Sequence, residues 1–130
     1  MASILKVDTL TGVSTAGSIS VTGEGNSTTT NLQQGLAKQW AKFTVAAALS
    51  DSFNTSSITD SGSGAFEVNF SSAMGSAQYA IATCTTAAAD RTTTAESTSA
   101  SAYGIATWYN LSRSEDSISS CGTNVHGDLA

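Results

Sequence analysis

Only 23 of the 130 residues are Leu, Ile, Val or Phe. That scarcity is the tightest constraint on what the chain can fold into. A strongly apolar fraction below about 20% usually marks disorder, but only when it is joined to high net charge. Here the formal charge is −5 and charged residues make up 12%, so the disordered class fits poorly. Most of the chain consists of small side chains instead, with 22 Ser, 19 Thr and 20 Ala. A thin core without charge repulsion points to a chain that completes its burial in an assembly.

Charge and hydropathy exclude two partner classes. The basic residues are Lys6, Lys38, Lys42, Arg91 and Arg113; they form no stripe, and the sequence pI is about 4.4. Nucleic acid is therefore not an expected partner. No apolar run approaches the ~18 residues of a membrane span, so no membrane insertion is expected. Residues 1–10 lack the continuous apolar stretch of a secretory signal.

The chain divides into two parts by composition. Residues 1–36 contain no aromatic, whereas residues 37–130 hold all nine aromatics and both cysteines. In the first part, 4–7 and 18–21 read as short strands punctuated by Gly, 26–31 as a polar connector and 32–36 as one helical turn capped by Asn31. This part buries too little apolar surface to fold alone and reads as a segment ordered by other subunits, with a flexible leader as the alternative.

The second part alternates with period two, the signature of half-buried strands. Gln39, Ala41, Phe43 and Val45 share one face, and Lys38, Trp40 and Lys42 the other. Residues 53–58 form a further candidate strand. Residues 59–64 break the pattern with turn residues, and 65–70 follow with Phe66, Val68 and Phe70 on one face. This pair predicts a β-hairpin with a Gly-containing loop. A polar loop spans 71–78. From 79 to 84, Tyr79 and Ile81 face one way, and Ala80, Ala82 and Cys84 the other. Residues 85–100 read as a low-complexity loop or a weak edge strand. In 102–111, Tyr103, Ile105 and Tyr109 oppose Ala106 and Trp108. A charged turn at 110–117 and a last strand at 118–125 complete the pattern. The expected fold is all-β: an antiparallel β-sandwich or jelly-roll-like domain over 37–130, behind an extended segment over 1–36.

Few residues suggest chemistry. His126 is the single histidine, and no nucleophile elbow accompanies it. Cys84 and Cys121 are too far apart in sequence for the usual short metal-ligand spacing. They read as buried free thiols, with a disulfide as the alternative. Residues 60–64 lack the acidic pattern of a calcium loop. Glu115 and Asp116 are adjacent and read as solvated, and Asp60, Glu67 and Glu96 have no support as a glycosidase pair. Asn26, Asn54, Asn69 and Asn110 begin Asn-x-Ser/Thr triplets at a frequency a Ser/Thr-rich chain explains. No catalytic, metal or cofactor site is expected. Trp40 lies opposite Phe43 in its strand phase, so it faces outward when Phe43 faces the core. An exposed aromatic of that size marks an interface, with a local cover or a sugar-stacking platform as alternatives.

Five runs resemble small virion proteins of tailed bacteriophages, especially marine ones: 4–12 (ILKVDTLTG), 31–43 (NLQQGLAKQWAKF), 51–60 (DSFNTSSITD), 64–70 (GAFEVNF) and 125–130 (VHGDLA). The resemblance implies a β-rich, trimeric component of a fibre, tail or capsid surface, assembled in the host cytoplasm. It carries no catalytic motif. The expected function is a short trimeric fibre, spike or decoration protein. Residues 1–36 would anchor it to other virion proteins, and Ile4, Leu5, Val7 and Trp40 would lie at subunit contacts. The alternative is a tip module that binds a host surface glycan through Tyr103, Trp108 and Tyr109, near the loop 85–101.

Overall fold

The computed structural model describes residues 4–12, 19–23, 28–87, 91–109, 112–113 and 118–129. The chain divides into two compact units, 1–36 and 37–130. Glu115, Asp116, Asn26 and Asn110 lie outside the described residues, as does most of the expected charged turn.

In the first unit, β1 (Ser20–Thr22) pairs antiparallel with β2 (Thr29–Asn31). One helical turn, α1 (Leu32–Gly35), follows. Its first amide, on Leu32, donates to the Ile19 carbonyl at 2.8 Å. The strand expected at 4–7 does not form. Apolar spacing is not enough for a strand; the backbone also needs a neighbour to pair with.

The second unit is all-β, with antiparallel strands in two sheets. One sheet has the order β4 (Leu49–Phe53), β3 (Ala37–Thr44), β11 (Ile118–His126), β7 (Ala80–Ala87). In the other, β5 (Thr55–Gly62) pairs with β6 (Ala65–Phe70), and β6 pairs with β9 (Ala102–Tyr109). The second edge of β9 takes β8 (Arg91–Thr98), and the two-residue β10 (Ser112–Arg113) pairs with its end. The arrangement is β-sandwich-like, as the alternation implies.

The core lies on the central strands of both sheets. It joins Phe43 of β3 and Cys121 and Val125 of β11 to Phe66, Val68 and Phe70 of β6 and Tyr103 and Ile105 of β9. Phe43 meets Phe66 edge-on, with centroids 5.4 Å apart. Phe70 lies 5.7 Å from Tyr79 and 5.6 Å from Tyr103, within the range in which tilted ring pairs attract. The Tyr79 hydroxyl reaches the carbonyls of Ser99 at 2.8 Å and Ala102 at 2.9 Å, tying the start of β7 to the β8–β9 connection.

On the strands of the second unit, the structure changes two sequence expectations and decides a third that was open. The strand expected at 53–58 is broken at Asn54, which takes φ 53° and sends the chain from one sheet to the other. Asn is one of the few residues that tolerate this left-handed conformation. Its side chain holds the corner: Nδ2 donates to the carbonyls of Lys38 at 3.0 Å and Ser72 at 3.1 Å, and Oδ1 accepts from the Ser72 amide at 2.7 Å. Lys38, expected outside with Trp40 and Lys42, is only 7% exposed, because this corner sits against its backbone. Of the two readings of 85–100, loop or edge strand, the described residues follow the edge strand. Most of them belong to β7 and β8, whose Thr residues alternate between half-buried (Thr83, Thr85, Thr93) and exposed (Thr86, Thr92, Thr94). Thr is β-branched and suits a pleated surface, and Thr93 Oγ1 donates to Thr83 Oγ1 at 2.6 Å between the two strands.

Candidate functional site

The sequence-derived surface residues separate into three environments. Ile4, Leu5 and Val7 are exposed on the first unit, Leu5 by 80%. Trp40 is exposed on β3. The proposed glycan platform does not assemble. Tyr103 is 1% exposed, and its hydroxyl donates to Gln39 Oε1 at 3.0 Å inside the core. Strand alternation places Trp108 on the opposite face of β9 from Tyr103, and its indole N–H is used by Thr94 Oγ1 at 2.8 Å. Tyr109 is exposed at the strand end, but the Arg91 guanidinium lies 3.5 Å from its ring centre, which occupies one stacking face.

A polar cluster that motif reading missed lies inside. Gln39 is fully buried between the sheets and accepts from Tyr103. Its amide nitrogen donates to Thr55 Oγ1 at 2.8 Å and more weakly to Thr123 Oγ1 at 3.5 Å. Burial raises the Tyr103 phenol above its ordinary value, against the opposing effect of its hydrogen bonds with Thr123 and Gln39. Burial also raises Tyr79, partly offset by its bond to Ser99. The signal was present in the sequence, since Gln39 shares the phase of Ala41 and Phe43. An amide in an apolar phase needs partners from other strands.

The two cysteines are both free, but only Cys121 is buried. Burial pushes its thiol up to about 12, with a smaller contribution from the nearby Cys84. They sit on adjacent strands and opposite faces, with Cys84 opposite Gly122. A Cβ at Gly122 would lie 2.9 Å from Cys84 Sγ, so glycine makes room for that thiol on the outer face.

The candidate site is therefore the outer face of the four-stranded sheet. Trp40 and Phe53 are direct cross-strand partners, 38% and 52% exposed. The next outward pair along the same strands is Lys42 opposite Asp51, both exposed. Across the sheet, Asn124 sits between Trp40 and Ala82. Beside it, Ala82, Cys84, Gly122 and Asn124 line a shallow groove of about 240 Å³. Asn124 Oδ1 is buried there without a hydrogen-bond partner among the described residues. Paired aromatics, a row with Lys42 opposite Asp51 and a shallow apolar groove share this face. Among the described residues no group of three or more His, Cys, Asp and Glu side chains converges. No helix among them is long and apolar enough to cross a membrane.

No family model, curated protein or solved structure matches this chain.

Proposed function

We propose that the chain is a structural protein of a bacteriophage particle: a short trimeric fibre, spike or decoration subunit attached to tail or capsid. Residues 1–36 serve as the anchoring segment, and residues 37–130 form the β-sandwich body. The observation that carries this reading is the exposure of Ile4, Leu5, Val7 and Leu10 within one short segment. Large apolar side chains gathered in an exposed segment are stabilised when a partner removes them from water. The five sequence runs resembling phage virion proteins supply the setting.

A glycan-binding tip is the weaker reading. It would have to work with Trp108 and Tyr109 alone, since Tyr103 belongs to the core. Light scattering of the purified chain tests the assembly: the expected mass is three times 13.1 kDa, and a stable monomer at micromolar concentration overturns the trimer. Electron microscopy of purified particles labelled with an antibody to this chain tests the setting, and particles without label overturn it.

A further inference from the structure

The β3–β4 hairpin is unusual at both its face and its tip. Its outer face carries Trp40 and Phe53 at one level and Lys42 and Asp51 at the next. Successive outward positions on a strand are about 6.6 Å apart, so the two pairs form an aromatic layer and a charged layer. The turn at 45–48 is Val-Ala-Ala-Ala, where Gly, Asn or Asp is usual. Ala47 holds φ 55° there without the help of a glycine. Ala46, Ala48 and Leu49 are nonetheless exposed. An apolar tip joined to an exposed aromatic pair is a surface shaped for contact rather than for water.

We propose that this hairpin face is the seat of a second copy of the same chain. The occupant follows from charge. The chain as a whole carries −5, which opposes self-association, but the exposed charges of this face are one Lys and one Asp. They stand on neighbouring strands at the same level. A threefold axis parallel to the strands brings β3 of one copy beside β4 of the next. Each Lys42 then meets a neighbour's Asp51, and each Trp40 meets a neighbour's Phe53. The face is complementary to itself in charge and in apolar character, which favours a further copy over an unrelated partner. The inference rests on the trimer reading and specifies where its contact lies.

Three full-length variants test it by light scattering, with circular dichroism as the check on folding. Wild type is expected at three times 13.1 kDa. The double variant Trp40→Ser/Phe53→Ser is expected at 13.1 kDa with an unchanged spectrum. Lys42→Glu and Asp51→Lys should each lose assembly separately, because the face becomes wholly acidic or wholly basic. Mixing these two charge variants should restore part of it. A wild-type trimer that survives both charge reversals overturns the location but leaves the trimer standing. A monomeric wild type overturns both.

Discussion

The two units of the chain use similar residues with opposite results. In unit 37–130, Phe66, Val68 and Ile105 lie on strands with a second sheet above them, and all three are buried. In unit 1–36, Ile4, Leu5 and Leu10 stay exposed, and Val21 on the β1–β2 hairpin is exposed as well. The difference is one of layers. A strand buries its apolar face only against a second surface, and a two-stranded hairpin is marginal by itself. The same apolar side chains therefore stabilise the body and leave the first unit open to other molecules.

The largest expected effect tests that contrast. Phe66→Ala should lower the stability of the body by about 3–5 kcal/mol, through lost burial and the cavity left behind, read as a fall in the urea midpoint. Leu5→Ser in the isolated chain should change it by less than about 0.5 kcal/mol. Comparable losses from both would break the comparison.

The second effect concerns the corner that makes two layers possible. Asn54→Ala removes three side-chain hydrogen bonds and leaves an alanine at positive φ. The expected loss is about 2–4 kcal/mol, and Asn54→Gly should recover only the conformational part. Equal stability of the two variants would show that φ contributes nothing there.

A third effect sharpens the contrast within the body, where one thiol is covered and one is not. Cys121 has its folded value raised to about 12 from an ordinary 9.0. The folded state thus holds a proton that the unfolded chain releases first. Its contribution is fully present below pH 9 and is lost as pH rises toward about 12. Tyr103, raised in the same direction, adds to the loss above pH 10. For Cys121 the expected loss at pH 10 is about 1 kcal/mol, seen as a lower urea midpoint than at pH 8. At pH 8 a thiol reagent should label Cys84 in the native chain and both thiols only in denaturant. Rapid native labelling of Cys121 would sink this.

The smallest effect is at the β5–β6 turn, where Gly62, Ser63 and Gly64 all have positive φ. Ser63→Gly should raise stability by about 0.5 kcal/mol, as relief of strain is set against chain entropy. A measured decrease would mean that the serine hydroxyl stabilises the turn.

The sequence by itself determined which residues share a face. Phe66, Val68 and Phe70 point inward, as do Gln39, Ala41 and Phe43, because a pleated strand alternates with period two whatever lies beside it. It also determined the all-β class and the hairpin loop ending at Gly64. Tertiary structure alone decided which faces meet. Gln39 and Tyr103 are 64 positions apart and share a hydrogen bond. Phe53 came to stand opposite Trp40 only through the register of β4 on β3, and Lys38 lost its expected exposure only because Asn54 turns the chain beside it. Periodicity is a local property of the backbone. Neighbours and register follow from long-range pairing, which no single segment encodes.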